Sequence, residues 1–352
     1  MYEARAQLRG YIAPFEKSSN WLGVLQLITS IGLYLATLVL MYWSLSISYW
    51  LTLGLSLPAS VLLVRVFIVQ HDCGHGAFFT SGRANDIVGR ICGVLTLVPY
   101  QNWRRQHAGH HANWNNLDRR ESGADIYSTC LTVGEYRALS PWRRFLYRVP
   151  RHPLLANLVI PPLVFLLLYR LPFDTPKTWK RERRSVWLTN LSIAISILAI
   201  GLMLSFRAVL LVQLPIVTIT AIIGVWLFSV QHRFEGARWL RRSEWNFADA
   251  SLNGTSYLAL APVLHWMTGN IGFHHLHHLS QRIPNYRLMA CDRQNTQLRP
   301  ERPLTLRRAL GAGNLTLWDE GAGRLVRFRD VASAPELDGM IRSMTQHKEF
   351  TA

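Results

Sequence analysis

The sequence predicts an all-α membrane protein with four transmembrane helices, and three observations carry that expectation. Hydrophobic residues make up 49% of the 352-residue chain and charged residues only 17%, a balance unusual for a soluble protein of this size. Four apolar runs, at about 21–43, 49–70, 186–204 and 208–230, are each long enough to cross the hydrocarbon core of a bilayer. The arginines and lysines behind the formal net charge of +17 lie almost entirely outside those runs, as the positive-inside rule requires.

Residues 1–20 carry Arg5, Arg9 and Lys17 and read as a cytoplasmic lead-in. They are polar, and the apolar run that follows is too long for a signal-peptide core, so no signal peptide is expected. Trp21 to Trp43 crosses, Ser44 to Ser48 turns, and Tyr49 to Gln70 returns, with Trp and Tyr at the run ends where interfacial belts form. Arg65, inside the second run, is expected to snorkel to the surface. The hairpin delivers His71-Asp72-Cys73-Gly74-His75 to the side on which the chain began. Ile87 to Pro99 is apolar but too short to span, and reads as an interfacial or buried helix. Arg143, Arg144, Arg148, Arg151 and His152 form a basic amphipathic stretch suited to a membrane surface.

Pro153 to Tyr169 has about the minimum spanning length, but Pro161-Pro162 breaks its middle and basic segments flank it on both sides. It is expected to enter and leave on one side as a re-entrant or interfacial helical pair. Val186 to Leu204 then goes out and Ala208 to Val230 comes back, ending at His232. Four crossings place both termini inside. Residues 231–352 form a cytoplasmic cap whose last helix is expected from about Ala334 to Gln346. No internal repeat and no long linker interrupts the chain, so residues 1–352 read as a single domain. Cys73, Cys92, Cys130 and Cys291 are scattered without a CxxC pair, which indicates neither a disulfide framework nor a thiolate zinc site. No nucleic-acid-binding module accompanies the positive charge. That charge suits anionic lipid or an acidic protein partner.

The chemistry lies in three histidine clusters. On a helix, His274, His277 and His278 stand at i, i+3 and i+4 and share one face, as do His107, His110 and His111; His71 and His75 are an i, i+4 pair. With His232 just past the last span, the topology places nine imidazoles at one depth on one side. Several neutral imidazoles aimed at one point are what a transition metal needs. Nine exceed the four to six ligands of one ion, so two metals are implied. A zinc hydrolase site would use three protein ligands, and the Glu-x-x-His pairs of soluble carboxylate-bridged centres are absent from the chain. Imidazole-rich ligation with open positions suits iron that binds dioxygen, and a site at the membrane edge suggests a lipid substrate.

His71-Asp72-Cys73-Gly74-His75, His107-Ala108-Gly109-His110-His111 and His274-His275-Leu276-His277-His278, with the spans between them, resemble the three histidine boxes of integral-membrane fatty acid desaturases over about residues 20–290. Asn116-Leu117-Asp118-Arg119-Arg120 and Arg282-Ile283-Pro284-Asn285-Tyr286-Arg287-Leu288 are similar to the bacterial acyl-lipid Δ12 (omega-6) branch. The resemblance implies a non-haem di-iron centre with dioxygen as co-substrate, which inserts a cis double bond into an acyl chain with two electrons from a separate donor. It implies His71, His75, His107, His110, His111, His274, His277 and His278 as iron ligands, with His232 as the extra histidine after the last span. Animal relatives place an asparagine one turn before that histidine. Phe228 stands there in this chain, leaving one position open or filled by Gln231 or Asn270.

Asp72, Asp118, Asp125, Glu235, Asp249 and Asn270 are near the boxes in sequence and are candidates to orient the imidazoles, as is His275, which faces away from its neighbours. A ferredoxin or cytochrome b5 type donor docked on the basic inner face is expected, since no His-Pro-Gly-Gly cytochrome b5 motif is present in the chain. The expected location is a bacterial inner membrane. Two rival functions share these residues. A membrane di-iron hydroxylase or ketolase of alkane, carotenoid or sphingolipid would use the same ligands, whereas a metal transporter would place its ligands near mid-membrane.

Overall fold

The computed structural model describes residues 2–122, 127 and 129–332. The helix expected over 334–346, and Asp125, lie outside them. Four helices are long and apolar enough to cross a membrane: Asn20–Ser44, Tyr49–His75, Lys180–Met203 and Phe206–His232. The architecture is that of an all-α membrane protein. The second span is the most enclosed of the four and packs against the first and the fourth. Met41, Leu63, Val66, Val69, Phe78 and Ile216 form the core between them. Leu35, Val39, Ile195, Leu202 and Leu210 point outward, the arrangement expected of helices whose solvent is lipid.

Two spans run further than the apolar pattern, and the extension matters. The second continues as one helix through His71 to His75 and stops where Gly76 adopts φ 70°, the left-handed conformation that ends helices. The fourth continues through His232. Hydrophobicity ends where the imidazoles begin, but backbone hydrogen bonding does not, so both sets of ligand candidates sit on rigid helix rather than on loop. The first span carries a π-helical turn at Ile28–Gly32, and Gln26, Ser30 and Tyr34 line its buried side.

The helix Gly82–Leu95 is capped by Ser81, whose Oγ accepts from Ala84 N–H. The box-two helix, Tyr100–Asn113, follows it. The segment expected to turn back is a pair of helical pieces, Pro141–Arg151 and Leu155–Arg170, bent by 51°. Its two flanks are tied to the same end of the bundle. Tyr147 Oη on the first piece donates to Thr316 O of the cap. Beyond the second, Thr175 Oγ1 donates to Asn102 Oδ1 and Asp174 accepts from Gln106 Nε2, both on the box-two helix.

The cap, together with Leu131–Thr132, holds two small sheets that the sequence pattern did not suggest. Leu131–Thr132, Leu317–Asp319 and Arg324–Val326 form one, and Leu258–Ala259 with Leu304–Thr305 the other. Strands of two or three residues are too short to show an alternating pattern. The lead-in also differs from a simple cytoplasmic tail. Ile12 and Phe15 pack with Phe273, Leu276, Leu279, Ile283 and Leu288. Ser280 Oγ donates to Glu16 Oε1 at 2.7 Å, Ser19 N–H donates to Tyr286 Oη at 2.8 Å, and Tyr286 Oη donates to Phe78 O at 3.0 Å. The N-terminus is a clamp on the third box.

Candidate metal centre

Each box is positioned by a different local device. Box one is the last turn of the second span, and box two occupies the C-terminal turns of Tyr100–Asn113. Box three is a single short helix, His274–Leu279, fed by a tight turn in which Gly269 and Asn270 have φ of 56° and 58°. A Cβ on Gly269 would stand 2.8 Å from Ile68 Cγ2 on the second span, so the turn must approach that helix through a glycine. Arg65, one turn before Ile68, does not snorkel. It is buried, stacks over Trp266 at 4.2 Å and donates to the Trp266 carbonyl, which holds the helix Pro262–Met267 against the second span.

These devices bring all nine predicted imidazoles together in two groups. His71, His75, His107, His111 and His277 each offer a nitrogen within 4.8 Å of the others, and His110, His232 and His278 form a second such set. His274 joins the second set through His232, their Nε2 atoms lying 3.1 Å apart. The Nε2–Nε2 separations are 3.0 Å for His107 and His111 and 3.1 Å for His111 and His277 and for His110 and His232.

An isolated pair of rings could pair as donor and acceptor. Here, however, His111 Nε2 faces both His107 and His277, and His232 Nε2 faces both His110 and His274, and a ring nitrogen has only one proton or one lone pair to offer. A metal between them resolves the conflict: bonds of about 2.1 Å at right angles place adjacent nitrogens about 3.0 Å apart. The Nε2 atoms of His75 and His278 are buried without a hydrogen-bond partner, as ligands waiting for an ion would be. Burial holds the imidazoles of His107, His111, His274, His277 and His278 neutral, well below the ordinary histidine range, and His110 at about 3. Neutral imidazole is the ligating form. The residues therefore fit two metal ions with nitrogen-rich coordination.

The candidates for orienting the imidazoles separate clearly. Asp72 accepts from His71 Nδ1 at 3.1 Å. Asn270 donates to Asn285 O, and its own Oδ1 is buried without a hydrogen-bond partner. Gln231 donates to Ile271 O, while Phe228 lays its ring 4.8 Å from His232 and 5.4 Å from His110. His275 is fully buried on the far side of its helix beside Tyr257. The other three acids turn toward arginines. Asp118 meets Arg241 Nη1 and Arg242 N–H at 2.8 Å each, Glu235 meets Arg308, and Asp249 meets Asn253 and Arg238. Proximity in sequence did not translate into proximity of side chains.

Three contributors are absent from the sequence reading. Trp103 stacks on His107 at 4.5 Å, and Trp114 lies 3.9 Å from His232 with its Nε1 donating to Gly254 O. Both flank box two by a few residues, which was the available signal. Asn285 donates to Asp72 through its backbone N–H at 2.6 Å and its Nδ2 at 2.8 Å. Nothing in the sequence links positions 72 and 285 except the likeness of the 282–288 segment to a family pattern.

Comparison with known proteins agrees with this geometry. The family model described as "Fatty acid desaturase" matches residues 48–309, which include every box. A "Fatty acid desaturase" of Bacillus subtilis (strain 168) is 39% identical over 329 residues, covering 94% of this chain and 92% of that protein. The "sn-1 oleoyl-lipid 12-desaturase" of Synechocystis sp. is 28% identical, covering 78% of this chain and 75% of its own length. The "sn-1 acyl-lipid omega-3 desaturase (ferredoxin)" of the same organism is 26% identical over 73% of this chain and 69% of its own. Boxes, spans and matched length agree, and the chain belongs to the fatty acid desaturase family.

Proposed function

We propose that this chain is a di-iron acyl-lipid desaturase that inserts a cis double bond at a Δ12-like position. The observation that carries the reading is the pair of imidazole groups, with nitrogens 3.0–3.1 Å apart, at one end of the second and fourth spans. Imidazoles at the ends of the spans suit chemistry on a lipid chain rather than transport through mid-membrane. His71, His75, His107, His111 and His277 would hold one iron, and His110, His232, His274 and His278 the other. Bound iron supplies the oxidising power, with dioxygen, that no side chain has.

In the balanced reaction a CH2–CH2 unit becomes CH=CH, and dioxygen takes up the two hydrogens together with two electrons and two protons to give two waters. The protein's own part is positional. The helices hold one C–C bond beside the imidazoles, while Trp103, Trp114 and Phe228 wall the centre with apolar surface and keep bulk water out. Asp72 holds the proton on His71 Nδ1 and so leaves Nε2 as the ligating atom.

The names of the cyanobacterial relatives support a lipid-linked chain as substrate, a 12-position and a ferredoxin-type donor. The net charge of +17 suits a separate acidic donor, ferredoxin or cytochrome b5, on the inner face of a bacterial inner membrane with both termini cytoplasmic. Expression in a host with a defined lipid pool, followed by mass spectrometry of its fatty acids, tests the reading. A new diene with the second bond at the 12-position is expected. A hydroxylated product would favour the hydroxylase alternative, and unchanged lipids despite bound iron and a supplied donor would sink both.

A further inference from the structure

The two imidazole groups differ in what stands behind them. Asp72, Asn285 and Gln26 are all buried and form a continuous chain. Gln26 Nε2, on the first span, donates to Asn285 Oδ1 at 2.8 Å. Asn285 donates twice to Asp72 Oδ2, at 2.6 and 2.8 Å. Asp72 Oδ1, left free by that arrangement, accepts from His71 Nδ1 at 3.1 Å. The backbone N–H from Asn285 is also the first of the helix Asn285–Gln294, so the carboxylate sits at the positive end of a helix dipole.

A glutamine on the buried side of a membrane span is costly unless it has a partner. Here the partner is a residue 259 positions away that grips the support of a metal ligand. The second group has no such support among the described residues. His232 Nδ1 and His274 Nδ1 are buried without a hydrogen-bond partner. His111 in the first group shares that lack, but it stands among four other imidazoles.

We propose that the two metal positions are unequal, and that Gln26 and Asn285 are positioning residues which make the five-imidazole position the tighter one. The proposal rests on the ligand set assigned above. A carboxylate behind an imidazole fixes its tautomer and ring orientation and raises its basicity, and removing such support weakens metal binding by roughly 10–100-fold. The first span, which contributes no ligand to either group, thereby acts on the centre from outside it.

The test is to strip metal from the purified full chain in detergent and titrate it with Co2+, following the d–d absorption of the bound ion and metal content after gel filtration. Two loading steps are expected. Asn285→Ala should weaken the first by roughly 10–100-fold and leave the second in place. Gln26→Leu should weaken the first step by less. Asp72→Asn, which preserves volume but offers a neutral amide to His71, should shift the first-step spectrum as well as its affinity. His232→Ala should remove only the second step. A single step with both ions bound equally would overturn the proposal. So would Asn285→Ala or Gln26→Leu weakening both steps alike, the signature of a general loss of structure, or weakening neither. His232→Ala with both steps intact would instead overturn the ligand assignment.

Discussion

Four histidines in five residues meet two fates. His274, His277 and His278 turn into the imidazole groups, while His275, on the opposite side of the same turn, is fully buried with both ring nitrogens lacking a hydrogen-bond partner. Leaving such a group unpaired costs about 1–3 kcal/mol, so an apolar replacement of similar size removes a penalty. His275→Leu should keep both metals and melt at the same temperature or higher, whereas His277→Ala should lose bound iron. Metal analysis and a thermal melt on each variant decide it, and loss of iron from His275→Leu would show that this ring supports the centre. The Leu117-Asp118-Arg119-Arg120 segment acts at this scale too. Arg120 forks onto Glu135, which caps the helix Val133–Ala138, and this guanidinium holds the Glu135 carboxyl down at about 2. Because that value is depressed, the pair contributes stability in full above the ordinary carboxylate range and loses it as pH falls toward 2. Arg120→Ala should therefore flatten the acid limb of the stability curve between about pH 4.5 and 2, as acid unfolding followed by circular dichroism would show; an unchanged limb would mean that the pair adds nothing. The clustering of the imidazoles was legible in sequence because helical spacing alone puts i, i+3 and i+4 on one face. The destinations of Asp118, Glu235 and Asp249 were not, because an exposed acid goes to whichever arginine the fold brings near.

Helices were read well wherever one physical rule governed them. An apolar run of about twenty residues in lipid must be a helix, since every backbone group needs an internal partner. The same rule is silent on where a helix continues into polar sequence, which is how Tyr49–His75 came to run beyond its apolar stretch. The feed to box three shows what such detail controls. Gly269 combines a left-handed φ, which strains most side chains, with an approach to Ile68 too close for a Cβ. Gly269→Ala should destabilise by about 1–3 kcal/mol. Because the strain falls on the turn before His274, metal content should drop with it. A variant that melts normally with full metal would show that the turn can adopt another route.

At the scale of the whole molecule, four helices are long and apolar enough to cross a membrane, and both flanks of the bent pair are tied to one end of the bundle. The four cysteines are all buried, so an introduced thiol can be read without background. With a membrane-impermeant reagent, Ser46→Cys should label in intact cells, while Lys177→Cys and Ala322→Cys should label only after the membrane is opened. Labelling of Lys177→Cys in intact cells would make the bent pair a fifth crossing. The clamp of the first thirty residues on 280–295 was the feature least visible in sequence, since its partners are some 260 positions apart and the N-terminal end has no motif of its own. It also sets a schedule for synthesis. His71 and Asp72 leave the ribosome about 10–40 s before Asn285 at ordinary elongation rates. Throughout that interval the first box is in the membrane with neither its partner imidazoles nor its support. On the proposed ligand set, the nascent chain cannot complete either imidazole group, and metal loading would follow synthesis of the last third of the protein rather than accompany insertion of the first.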